Sequence, residues 1–123
     1  MASRRRCHAA GSGHFINVSS VSGLFVLPTT AVYSATKFAA RAISEGLRQE
    51  AGSKIRVTTI CPGAVETDLV ETISNPELKK RVNAFQAVAI PPVTIARAIA
   101  FAIEQPANVD VNEIVVRPTA QPT

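Results

Sequence analysis

Two short β-branched runs, each stopped by turn residues, bracket one long helical stripe, and this alternation restricts the chain more than any other feature. Residues 14–20 read HFINVSS and give way to the polar SSVSG; residues 55–61 read IRVTTIC and are broken by Pro62-Gly63. Short apolar, β-branched segments bounded by turn formers are strands. Between them Ala35, Phe38, Ala39, Ala42, Ile43 and Leu47 recur at three- and four-residue spacings, which predicts a helix over 30–51 that Gly52 stops. A second helix is expected to start at Ser74 or Asn75, with Pro76 at its first position and Glu77 in its positive first turn, and to run to about residue 87. A third follows Pro91-Pro92, apolar at Ile95, Ala98, Ile99, Ala102 and Ile103, and EIVVR at 113–117 is the last strand. Strands separated by helices form a parallel sheet with crossover helices.

The runs HFINV and IRVTTI show no apolar/polar alternation, so both sheet faces are expected to be covered. Three strands and one helical layer are few for that arrangement, and the pattern predicts the second part of a larger α/β domain. At 123 residues, 46% hydrophobic and 18% charged, the chain suits one domain and is short for two. There is no apolar run of the roughly 18 residues needed to span a bilayer. The net charge of +4 includes the consecutive Arg4, Arg5 and Arg6, and the other basic residues are interleaved with acidic ones, which disfavours a nucleic-acid interface. Cys7 and Cys61 form no CxxC pair, so neither a disulfide framework nor a zinc site is suggested, and the cytoplasm is the expected compartment. The opening MASRRRCHAAGSG lacks the apolar segment of a secretory signal. Residues 1–13 therefore read as a disordered or aberrant lead-in, and 14–123 as a single domain part. His8 and His14 are expected in the lead-in or at the surface, and Cys61 packed at a strand end.

The helix over 30–51 would place Tyr33 and Lys37 on one face, a single turn apart. A phenol with an ordinary pKa near 10 is a poor acid or base at neutral pH, whereas a fixed cation beside it favours phenolate and suits it to proton transfer. A packed Tyr and a surface Lys give the same spacing, so the pair gains meaning only from its surroundings. Ser20 ends a strand thirteen positions earlier, Pro62-Gly63 ends the next, and Thr67 follows. In parallel sheets such strand ends are where ligands sit. Singly, Ser19 and Ser20 also fit turn formation, Pro62-Gly63 a chain reversal and Thr67 a helix cap.

With INVSSVSG, YSATK and ICPGAVETDL in this order and spacing, residues 13–118 resemble the carboxyl-terminal half of a short-chain dehydrogenase/reductase. The resemblance implies an α/β fold, a partial Rossmann-like doubly wound parallel sheet, and NAD(P)-dependent hydride transfer between a small hydroxy compound and its carbonyl form. Ser20 would hydrogen-bond the substrate oxygen, Ser19 would support the turn, Tyr33 would be the general acid/base, and Lys37 would activate it and bind the nicotinamide ribose. Tyr33, Lys37, Pro62, Gly63, Val65 and Thr67 would line the cofactor, NADP or NAD with NADP favoured. The ending VNEIVVRPTAQ is similar to the NADP-dependent serine and 3-hydroxy acid dehydrogenase branch, and residues 69–92 would shape the substrate pocket. Homo-oligomers are implied, through the helix after the tyrosine and the last helix and strand.

Family members also carry a TGxxxGxG turn, an NAG segment and a catalytic asparagine, which are not found here. Gly11 and Gly13 precede a strand and cannot serve as a phosphate turn that must follow one. The 123-residue chain by itself is thus expected to be inactive. The alternative is a truncated, catalytically silent chain that acts only through subunit association.

Overall fold

The computed structural model describes residues 9–68 and 74–122. Arg4, Arg5, Arg6, Cys7 and His8 of the lead-in lie outside the described residues, as do residues 69–73 of the expected pocket segment. Strands β1 (Gly13–Val18), β2 (Ile55–Pro62) and β3 (Glu113–Val116) form one parallel sheet in the order β1-β2-β3. Helix α1 (Ala31–Glu50) joins β1 to β2, while α2 (Pro76–Gln86) and α3 (Pro92–Glu104) stand between β2 and β3. This is the α/β arrangement the alternation of strand and helix patterns predicts, with element ends within one or two residues. Ahead of β1, Ala9 and Ala10 are helical, and Gly11, at φ 71°, takes the left-handed conformation that glycine adopts without a Cβ clash.

Local chemistry sets the helix ends. Gly52, at φ 82°, turns the chain after α1. The Asn75 side-chain oxygen accepts from the Glu77 amide at 3.0 Å at the start of α2, and Pro92 opens α3, where its missing N–H costs no helical bond. At the other end of α3 the Arg56 guanidinium donates to the carbonyls of Ala102, Ile103 and Gln105 at 3.2, 3.2 and 3.0 Å. These carbonyls carry the helix's negative end and the last of them lack helical donors.

The core centres on β2, where Val57, Thr58, Ile60 and Cys61 are essentially inaccessible. β1 is half-buried although its sequence is as apolar, because among the described strands it pairs only with β2. Residues of β3 alternate between exposed and half-buried.

The apolar stripe of helix α1 is not its inward face. Its buried residues are Ser34 and Ser44, while Phe38, Ile43, Ala35, Ala39 and Ala42 of the apolar stripe are exposed, Ile43 by 68%. Two small hydroxyl side chains lie on the inward face, and hydrogen bonds satisfy them, Ser34 Oγ lying 3.2 Å from Thr30 Oγ1. Ser44 Oγ accepts from Asn17 Nδ2 and donates to the Ala40 carbonyl, both at 2.8 Å. Ser19 Oγ donates to the Lys37 carbonyl at 2.9 Å.

His14 is also not the surface residue expected. Thr58 Oγ1 donates its one proton to the Val111 carbonyl at 2.6 Å, so its contact with His14 Nε2 at 2.7 Å requires the Nε2–H tautomer. Nδ1 is then a buried lone pair without a partner. Burial, and secondly the Arg56 charge, lower the His14 pKa from its ordinary 6.5, with Asp110 opposing. Because the folded pKa is depressed, the unfolded chain takes the proton first as pH falls, and stability present above the unfolded value is lost toward the folded one. The urea midpoint should therefore fall as the pH drops through and below 6.5, the ordinary imidazole value. His14→Gln, which keeps a donor toward Thr58, should flatten that decline; an identical pH profile in the variant would count against this origin.

Candidate active site

Both β1 and β2 run in the same direction, so the turn after β1 and the loop after β2 lie at one edge of the sheet. At the end of β1 the Ser19 amide donates to the Ile60 carbonyl at 2.7 Å, holding the chain against β2. Ser20 is extended, at φ −170° and ψ 162°, and caps a 3-10 turn over Val21–Gly23. Its Oγ accepts from the Ser22 amide at 3.1 Å. Accepting fixes the oxygen and leaves the hydroxyl proton for another acceptor.

The turn closes on α1 with no space to spare. A Cβ on Gly23 would stand 2.9 Å from both the Lys37 carbonyl oxygen and Ser19 Oγ, so the approach requires glycine. Arg41, one helical turn after Lys37, donates from Nη1 to the Gly23 carbonyl at 2.8 Å and from Nε and Nη2 to the Glu113 carboxylate at 2.6 and 3.0 Å. The hydrogen bond to Glu113 raises the Arg41 pKa above its ordinary value. Turn, helix and β3 are thereby tied at one side chain.

Tyr33 and Lys37 share a face of α1, with the Lys37 ammonium 5.6 Å from the centre of the Tyr33 ring, within cation–π reach. Tyr33 is 47% exposed. The entry to this helix is held by Thr30, whose Oγ1 accepts from the Leu27 amide at 3.2 Å and donates to the Leu27 carbonyl at 2.8 Å. Thr29, at φ 72°, occupies the left-handed region that β-branched residues avoid, a backbone feature that the sequence does not signal.

The loop after Pro62 is gripped from several sides. Gly63 N–H donates to the Val116 carbonyl at 2.7 Å, and the Ala64 amide donates to Gln121 Oε1 at 2.8 Å. Val65 forms a parallel bridge with Ile90, and Gln86 Nε2 donates to the Val65 carbonyl at 3.1 Å. Thr67 is exposed two positions beyond that bridge. Cys61, at the base of the loop, is fully buried, and burial together with the Glu113 carboxylate pushes its thiol pKa up, as suits a packing residue. A separate open polar pocket, lined by Arg48, Gly52, Ser53, Arg56, Asn108 and Asp110, lies at the amino-terminal end of β2, away from Tyr33.

The structure thus brings Tyr33 to Lys37, ties Ser20's neighbour to the Lys37 turn, and puts residues 62–67 at the same sheet edge. Sequence reasoning passed over Gly23, Arg41, Gln86 and Gln121. Of these only Arg41 carried a signal, its four-residue spacing from Lys37; the others act through contacts between segments far apart in sequence.

The family described as short chain dehydrogenase matches residues 3–78, a span that takes in most of the lead-in. An uncharacterised oxidoreductase of Staphylococcus saprophyticus is 50% identical over 113 residues, covering 89% of this chain and 46% of that protein. Among solved structures, serine dehydrogenase from Escherichia coli superposes with a TM-score of 0.74 at 27% identity, over 95% of this chain and 45% of that one. A 4-hydroxyisoleucine dehydrogenase complexed with NADH gives 0.70 at 29% identity, over 97% and 52%. The chain spans about half the length of the relatives it matches.

Proposed function

The chain belongs to the short-chain dehydrogenase family, and on that premise we propose that it carries the reacting half of an NAD(P)-dependent oxidoreductase site, with Ser20, Tyr33 and Lys37 around the substrate oxygen. The observation that carries the reading is the Lys37 ammonium lying over the Tyr33 ring, on a helix whose Lys37 carbonyl accepts from Ser19, the neighbour of Ser20. The donor set fits the nicotinamide end of a dinucleotide. Lys37 offers ammonium N–H groups to ribose hydroxyls, and residues 62–67 form a half-buried to exposed loop at the same sheet edge. Pro62, Gly63, Val65 and Thr67 would hold the nicotinamide, which when bound supplies or accepts the hydride at the substrate carbon.

The chain's own residues handle the oxygen. In reduction the Tyr33 hydroxyl gives its proton to the carbonyl oxygen as that oxygen gains charge, and in oxidation it takes the proton of the alcohol. Ser20, its Oγ pinned by the Ser22 amide, donates its hydroxyl proton to the same oxygen. Lys37 keeps positive charge beside the phenol and orients the ribose.

We take the substrate to be a small hydroxy compound of the serine or 3-hydroxy acid kind, which the likeness to serine dehydrogenase supports, and the cofactor to be NADP in preference to NAD. Residues 14–123 are read as the carboxyl-terminal part of one domain. No described helix is long and apolar enough to cross a membrane, and we place the protein in the cytoplasm. The test joins the chain to a glycine-rich strand–turn–helix segment and measures reduction of NADP⁺ and NAD⁺ with L-serine, 3-hydroxy acids and simple alcohols. Turnover with one hydroxy acid class supports the reading, and no turnover with any of them counts against it.

The exposed face of α1, with Val32 at 82% and Ile43 at 68%, supports homo-oligomer formation through that helix. The small residues Ala35, Ala39 and Ala42 would allow close approach. Sedimentation should show dimers or larger species at micromolar concentration; a clean monomer would contradict it. The same face supports the second reading, a silent chain acting only by association, which oligomers without hydroxy-acid turnover would favour.

A further inference from the structure

We propose that Gln121, in the tail beyond β3, is a positioning residue that latches the loop at residues 62–67; this rests on the reading above, in which that loop holds the nicotinamide. The tail turns back on itself after the buried Pro118, with the Gln121 amide donating to the Pro118 carbonyl at 3.0 Å. This brings the Gln121 side chain over Gly63, where its Oε1 accepts from the Ala64 amide at 2.8 Å. The space a Cβ on Gly63 would occupy is taken by that same Oε1, with Arg117 Cγ next at 3.0 Å. Gly63 has an ordinary φ, so what glycine provides here is room for the Gln121 side chain and not a special backbone conformation.

The neighbouring anchors show what the latch adds. The Gly63 amide is held by β3 through the Val116 carbonyl, and Val65 is held by Ile90 and Gln86. Ala64 lies between these anchors, and its amide is held by a side chain from 57 residues away in sequence. The Ala64 carbonyl accepts from the Ile90 amide at 3.0 Å, so removing the Gln121 acceptor releases the amide side of a residue that stays held at its carbonyl. The acceptor atom is what matters, so glutamate, with a carboxylate oxygen at the same place, is expected to substitute for glutamine where leucine cannot.

The test follows the Ala64 amide by hydrogen exchange in NMR on the 123-residue chain, and the NADPH dissociation constant by titration into the millimolar range. Loss of one hydrogen bond corresponds to about a fivefold change. Gln121→Leu should speed Ala64 exchange and weaken NADPH binding by about that factor, with the Ile60 amide of β2 unchanged. Gln121→Glu should restore both. Gly63→Ala displaces the flexible end of Gln121, so it should resemble Gln121→Leu and add little to it in the double variant. Unchanged Ala64 exchange in Gln121→Leu, a glutamate variant that behaves like leucine, or faster exchange with unaltered NADPH affinity would each overturn the proposal. If no variant, nor the parent chain, binds NADPH, the oxidoreductase reading fails, and the exchange comparison alone decides whether Gln121 holds the loop.

Discussion

Tyr33→Phe is expected to lower turnover by roughly a hundredfold to ten-thousandfold, the range a positioned proton donor contributes, in the chain completed with a glycine-rich strand–turn–helix segment. The substitution removes only the hydroxyl and keeps the ring under the Lys37 ammonium, 5.6 Å from its centre in the parent chain. Dinucleotide affinity should therefore change little while kcat collapses. Lys37→Ala should harm both, because one ammonium serves the phenol and the ribose. Kinetics with the best hydroxy acid, together with a fluorescence titration of NADPH, separate the two effects. Full activity in Tyr33→Phe would remove the proposed acid–base role and leave Tyr33 as a packing residue at the mouth of the site.

The 123-residue polypeptide assayed by itself is expected to show no measurable dehydrogenase turnover. Its six glycines include none in a turn that follows a strand and opens a helix in the TGxxxGxG manner; Gly11 precedes β1 and Gly13 begins it. Pyrophosphate and adenosine contacts at such a turn supply much of a dinucleotide's affinity. Losing about 4 kcal/mol of binding weakens affinity roughly a thousandfold, from the micromolar to the millimolar range. A loosely held nicotinamide adds to the loss, since misplacement by about 1 Å can cost on the order of a hundredfold in rate. Saturable micromolar NADPH binding with turnover that Tyr33→Phe abolishes would contradict this and show that the polypeptide rebuilds a working site without such a segment.

The strands and helices were legible because each is signalled locally. Gly52 ends α1 in the left-handed region, Asn75 and Pro92 mark helix starts, and Pro62 closes β2, all as their side-chain chemistry requires. The pairing of Tyr33 with Lys37 was legible for the same reason, a four-residue spacing on a helix. Which face of α1 turns inward was not. Periodicity reports where apolar residues recur, and here the buried residues of the helix are Ser34 and Ser44, with most of the apolar stripe outside. The contact that takes His14 off the surface was not legible, because its partner Thr58 comes from the neighbouring strand. The reason for Gly63 was likewise hidden, since the atom that excludes a Cβ belongs to the far end of the chain.

The central claim, that Tyr33 and Lys37 together form the nicotinamide side of a dinucleotide site, has a direct spectroscopic test. Tyr33 is the one tyrosine in the sequence and there is no tryptophan, so ring-¹³C-labelled tyrosine gives a signal from a single residue. NADP⁺ added to about 10 mM should saturate even a millimolar site. The account predicts that the Tyr33 ring resonance then shifts along a saturating curve, together with the amides of Gly63 and Ala64, and that Lys37→Ala abolishes the movement. A Tyr33 resonance that stays in place while the amides around Gly63 respond, or that fails to move at any concentration reached, would contradict it.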